Sequence, residues 1–216
     1  MNAPRILVAG VGNIFLGDDG FGVEAVAELL RGPIPENVKV RDFGIRSYDL
    51  GHAIADGYDA VIFVDATSRG GEPGTLYLVE LDAPAATLAA DSAVNGHSLH
   101  PAVVLRMAAA LGAPLGRLFL IGCEPAVLEA DDITLSEQVR GAIPAAADMV
   151  RSLVAQLISG EPINPCDSSP DAHNKVMSNE CLGNSRYSDR DTPALLRGED
   201  DSGAAAVPAY APDVNP

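Results

Sequence analysis

Short apolar runs alternate with helical periodicities along roughly the first 160 residues. Arg5–Gly10 reads as a first strand. Phe21–Arg31 then follows helical spacing, with Val23, Val26, Ala27 and Leu30 predicted on one face. Val38–Phe43 is a second strand, and Ser47 is a candidate N-cap for a short helix. Ala60–Asp65 is a continuous apolar run of the kind found in buried parallel strands. Gly74–Leu81 alternates apolar and polar residues more regularly, as an edge strand does. A helix is expected over about Pro101–Leu111, stopping at Gly112, and Leu118–Gly122 is the last strand. Thr134-Leu-Ser-Glu137 resembles a capping box, and the helix it opens should run to about Ile158 with a kink at Pro144.

Strands separated by helices imply a three-layer α/β/α fold with a mostly parallel, twisted sheet of about five strands. Ligands of such sheets bind outside the carboxyl ends of the strands. That rule directs attention to residues at strand ends. The pattern breaks near Gly160: residues 161–216 are polar, acidic and rich in Pro, without a sustained apolar period, and read as a disordered tail behind a domain spanning residues 1–160.

Composition narrows the picture further. Apolar residues make up 47% of the 216, Trp is absent and aromatics are only 5%, so the core should be aliphatic and Ala-rich. The net charge of −16 disfavours nucleic acid or an anionic membrane as a partner. No apolar run reaches the roughly 18 residues of a membrane span. The N-terminus lacks a basic stretch before its short apolar run, so it reads as a strand rather than a signal peptide. These features place the chain in the cytoplasm as an expectation. Three cysteines (Cys123, Cys166 and Cys181) without a C-x-x-C spacing argue against a disulfide framework or a structural zinc site, and Cys123 reads as a small buried apolar residue.

Three positions could carry chemistry at the strand ends. Gly10-Val-Gly-Asn-Ile-Phe-Leu-Gly-Asp-Asp-Gly-Phe-Gly follows the first strand and opens the first helix. Gly10 and Gly12 suggest a dinucleotide fingerprint, but its third glycine would fall on Phe15, and Asp18 and Asp19 would repel a pyrophosphate. A tight turn with one Asp as a helix cap explains one of the two aspartates and leaves the other without a task. Asp65 ends a buried strand, where it could cap a loop, bind a metal or accept a phosphoryl group. The last reading lacks a suitable lysine downstream. His97 lies in a loop just before the helix at Pro101, with His100 a weaker candidate beside it. Two carboxylates and an imidazole suit a divalent ion such as Ni²⁺ or Zn²⁺ and leave coordination positions open.

The ordered motifs resemble those of the hydrogenase maturation endopeptidases, which trim the C-terminal extension of the [NiFe]-hydrogenase large subunit. The matching stretches are residues 6–23, Val61-Ile-Phe-Val-Asp-Ala66, Pro73-Gly-Thr75, His97 with its following helix, and Ile121-Gly-Cys-Glu-Pro125. The resemblance implies a metal-recognising and catalytic trio of Asp19, Asp65 and His97. It also implies a nickel ion carried by the substrate rather than held as a resident cofactor, a large-subunit precursor as partner, and a monomer. The family's first position is often Glu, one methylene longer than Asp19. Its second-strand Asp-Gly-Gly-Thr is here Asp42-Phe-Gly-Ile-Arg46, which makes Arg46 and Tyr48 candidates for substrate recognition. The competing reading is a non-catalytic metal- or nucleotide-sensing α/β module. A Rossmann-type oxidoreductase is a third, which Phe15 opposes.

Overall fold

The computed structural model describes residues 3–82, 101–112, 114–128, 133–163 and 175–178. His97, His100, Cys166 and Cys181 lie outside them, as does most of the stretch read as a tail.

Eleven elements are described: β1 (Ile6–Val11), a 3-10 turn (Gly17–Gly20), α1 (Phe21–Leu29), β2 (Val38–Gly44), α2 (Ser47–Ala55), β3 (Ala60–Ala66), β4 (Leu76–Leu81), α3 (Pro101–Ala110), β5 (Arg117–Cys123), α4 (Glu137–Ser159) and β6 (Lys175–Ser178). The sheet order is β2-β1-β3-β5-β4-β6. The first four strands of that order are parallel, while β4 runs antiparallel to both β5 and β6. The expected three-layer, mostly parallel fold is therefore present.

Alternation along β1 divides the core. Ile6 and Val8 join α1 and α4 on one face, and Leu7, Ala9 and Val11 join α2 and α3 on the other. β1 and the first five residues of β3 are buried throughout, the signature of strands covered on both sides. α4 is long and apolar enough to cross a membrane by length and composition, but its Val139, Ala146, Val150 and Leu153 are buried in the core against the sheet.

Four details depart from the sequence reading. First, α1 buries Phe21, Gly22, Ala25, Val26 and Leu29, while Ala27 and Leu30 are exposed, so of the expected face only Val26 is fully buried. Glycine sets the rotation: a Cβ on Gly22 would lie 2.0 Å from the Val64 carbonyl oxygen, and one on Gly10 would lie 2.0 Å from Val26. Gly22 must face the strands, and the rest of the helix follows. Second, Ser47 is the first residue of α2 and no side chain caps that helix. Third, the cap of α4 is Ser136, whose Oγ accepts from the Val139 N–H, rather than Thr134. Fourth, β6 lies within residues 161–216, where no strand was expected. Four residues, Lys-Val-Met-Ser, are too short to announce a period, and they gain their ladder from β4.

Candidate functional site

The carboxyl ends of β1, β3 and β5 gather four carboxylates: Asp18, Asp19, Asp65 and Glu124. The chain leaves β1 through Gly12, whose φ of +127° favours glycine. A Cβ there would lie 1.8 Å from the Asp19 carbonyl oxygen and 3.7 Å from Oδ1 of Asp65. Gly12 thus lets the 3-10 turn fold back over the strand ends and brings Asp19 and Asp65 to one point. The sequence placed them at the same sheet edge, and the structure brings them together.

Asp65 enters from β3, one residue beyond the fully buried run, paired in register with Gly122 of β5. Asp19 accepts a hydrogen bond from the Asn13 N–H at 2.7 Å. Burial pushes the Asp65 carboxyl well above its ordinary value, the nearby charge of Asp19 pushes it further, and a bond from the Ala66 N–H opposes both. Asp19 is raised as well, by burial against the Asn13 bond. Both acids are partly desolvated and short of donors, and a cation would relieve each of them.

The other two carboxylates are built differently. Asp18 is 1% exposed and accepts from the Ala126 N–H (2.8 Å), the Val127 N–H (3.1 Å), the Ser136 N–H (2.7 Å) and the Ser136 hydroxyl (3.0 Å). It ties the β1–α1 turn to the segment between β5 and α4. Glu124 is 3% exposed and accepts from Arg69 N–H, Gly70 N–H, Ser68 Oγ and the Tyr77 hydroxyl. Burial alone would raise its carboxyl. The donors, Arg69 N–H and the Tyr77 hydroxyl foremost, outweigh that and hold it below its ordinary value. The same contact and burial lift the Tyr77 hydroxyl to about 12, burial being the larger cause. Cys123, fully buried beside them, is pushed up to about 12 mainly by burial, so its thiol stays protonated and takes no part as a nucleophile. The sequence reading offered one of the two aspartates only as a helix cap, yet no side chain caps the 3-10 turn or α1, and it gave Glu124 no role beyond its place in a motif. The partners of Asp18 and Glu124 lie up to 118 residues away, beyond any local pattern.

Of the candidates near β2, Arg46 donates to the Asp42 carbonyl and sits 3.6 Å from Asp49, and Tyr48 is 72% exposed. Both stand open at the same sheet edge as Asp19. Phe15, which would occupy the third glycine position of a nucleotide fingerprint, is 68% exposed on the loop. The close helix–strand approach is made by Gly10 and Gly22 instead. Among the described residues no three His, Cys, Asp or Glu side chains form a cluster able to hold a metal. The pair Asp19 and Asp65 is what they contribute.

The converging carboxylate pair at the strand ends of this three-layer α/β domain is a site of oxygen donors for a cation, and the domain's glycines serve helix–strand packing rather than a nucleotide fingerprint. The hydrogenase maturation protease family profile matches residues 23–153. A hydrogenase expression/formation protein, HupD, of Rhizobium leguminosarum bv. viciae is 40% identical over 148 residues, covering 68% of this chain and 72% of that protein. The HupD of Bradyrhizobium diazoefficiens is 37% identical over 154 residues, covering 70% and 79%. Among solved structures, the hydrogenase-maturating endopeptidase HybD of E. coli superposes with a TM-score of 0.60 at 30% identity, covering 82% of this chain and 98% of that one. The chain belongs to the hydrogenase maturation protease family, and its chemistry is peptide-bond hydrolysis.

Proposed function

We propose that this chain is the endopeptidase that removes the C-terminal extension of a [NiFe]-hydrogenase large-subunit precursor after nickel insertion, with Asp19, Asp65 and His97 acting on the nickel ion or on the attacking water. The observation that carries the reading is the convergence of Asp19 and Asp65 at Gly12, where burial raises both carboxyls and the charge of Asp19 raises Asp65 further, so that a cation would be favoured there. Nickel borne by the precursor would supply the positive charge, so the site would favour loaded substrate over empty substrate. Oxygen donors with open positions suit that task. The reading further assigns the enzyme to the cytoplasm, acting as a monomer.

Incubation with nickel-loaded and nickel-free precursor, followed by intact mass, tests this. The expected result is loss of the extension from the loaded form alone. Failure to trim either form overturns the reading. Trimming of both equally removes nickel from it.

A further inference from the structure

Asp18 does more than fill a buried position. It fastens the β1–α1 turn to the segment preceding α4, and these two segments are the walls of a groove of about 230 Å³. Ile14, Gly17 and Gly20 line one side; Ile133, Leu135 and Ile143 line the other. Asp19 lies in the same four-residue turn as Gly17 and Gly20, so one short turn carries both a wall of the groove and a member of the carboxylate pair.

The groove is apolar at its mouth. Ile14 is 45% exposed and Ile133 68% exposed, and Phe15, Val127 and Leu128 are exposed too, on the two loops that flank the groove. Ile14 and Ile133 face each other across the groove, and a pair of exposed apolar side chains lining one cavity is a candidate contact surface. The walls are fixed before anything binds. Four donors hold Asp18, the Arg140 guanidinium donates to the Leu135 carbonyl at 2.7 Å, and Gly20 sits so close to Ile14 that a Cβ would fall 3.2 Å from its Cα. The volume lies below the roughly 300 Å³ at which small-molecule sites begin, and fits one or two side chains of a peptide.

We infer that this groove is the subsite that receives a large apolar side chain of the precursor's polypeptide next to the bond being cut. The inference rests on the endopeptidase reading above. A peptidase must hold its chain near the reacting atoms, and this preformed groove is built on the turn that carries Asp19. Glu24, Thr134 and Arg140 also line it, and the apolar side chain is assigned to the part formed by Ile14, Ile133, Leu135 and Ile143. Asp18 is a positioning residue that sets the groove's width.

Steady-state trimming of nickel-loaded precursor by the full-length wild type, Ile133→Asp, Ile14→Asp, Ile133→Leu and Leu30→Asp tests the groove. Leu30, exposed at the end of α1, is the control outside it. The two groove aspartates are expected to raise KM roughly tenfold or more with kcat nearly unchanged, and Ile133→Leu and Leu30→Asp to leave both constants near wild type. Unchanged KM in Ile133→Asp and Ile14→Asp, with active wild type, overturns the groove alone. A fall in kcat without a rise in KM, or an equal loss in Leu30→Asp, also overturns it. If the aspartates instead convert a dimer to a monomer on a sizing column with KM intact, the patch joins copies of this chain and the groove assignment falls. Wild type that trims no precursor brings down the function reading and the groove with it.

Discussion

Asp18 and Asp19 are neighbours in sequence, yet one is sealed in the protein with four donors on its carboxylate and the other is half-buried with one. The same contrast recurs across the sheet edge between Glu124, saturated by the β3–β4 loop and Tyr77, and Asp65, whose neighbour is another acid. A carboxylate ringed by N–H and O–H donors is stabilised as an anion and acts as a rivet. A carboxylate facing a second carboxylate with few donors is destabilised as an anion and acts as a place for a cation. Chemical type therefore says little here; the number of donors separates structure from function.

The largest expected effect breaks the comparison on the functional side. Asp19→Asn and Asp65→Asn should each lower precursor trimming by roughly a hundredfold or more, since each removes a charge at the reacting centre. Both variants should melt at or above the wild-type temperature at neutral pH. The sign follows from the raised carboxyls: a group whose folded value is raised contributes stability only below its unfolded value and loses it as pH rises through the folded value. Wherever the pair is ionised in the folded state it is a burden, and amide replacement removes it. The gain of Asp65→Asn over wild type in thermal melts should shrink as pH falls through the carboxylate range. Added Ni²⁺ should raise the wild-type melting temperature and leave Asp65→Asn unmoved, by binding the native state alone. A variant that melts well below wild type would place Asp65 among the rivets.

Asp18→Ala tests the opposite side. It strands the Ala126, Val127 and Ser136 N–H groups and the Ser136 hydroxyl in a buried position, at about 1–3 kcal/mol for each one left unpaired. The expected outcome is a loss of about 3 kcal/mol or more in denaturant unfolding, far beyond that of an ordinary surface change.

How much of this was readable from the sequence divides along the same line. Asp65 was legible because a long apolar run ends on it, and the strand-edge rule gives such a residue an address. Asp19 was legible once the ordered motifs were recognised. The rivets were not, because Asp18 finds Ser136 at a separation of 118 residues and Glu124 finds Arg69 at 55. Neither distance leaves a local trace. The rotation of α1 was misread for a similar reason. Periodicity reports which residues are apolar, whereas the helix turns toward the sheet where Gly10 and Gly22 permit backbone contact. β6 escaped because four residues carry no period. His97 lies outside the described residues, so its part in the trio rests on the resemblance.

Glu124→Gln probes the second rivet more gently. The amide keeps an acceptor for some of the donors and loses the charge, so about 1–2 kcal/mol should be lost at neutral pH. Its pH dependence must run opposite to that of Asp65→Asn. Glu124 is held below its ordinary value of 4.5, so its contribution is present above that value and disappears as pH falls through the lower folded value. The gap between wild type and Glu124→Gln should therefore close only in strong acid. A gap that is constant with pH would mean that shape rather than charge matters at this position.

The smallest expected effect sharpens the distinction between a cap and a rivet. Ser136 both caps α4, through Oγ and the Val139 N–H, and donates twice to Asp18, once from its hydroxyl and once from its backbone. Ser136→Ala removes the cap and one of the four donors on Asp18 while sparing the backbone bond. The cap bond is long at 3.4 Å, so its loss belongs at the modest end of capping effects, and the total should be about 1 kcal/mol in denaturant unfolding. KM for precursor should stay near wild type, since the groove walls remain tied through the Ala126, Val127 and Ser136 N–H groups. If Ser136→Ala instead costs as much as Asp18→Ala, the helix cap holds the two segments together and the carboxylate is merely its partner. If it costs little but raises KM, the hydroxyl alone sets the width of the groove, and the wall it positions is looser than the four-donor geometry implies.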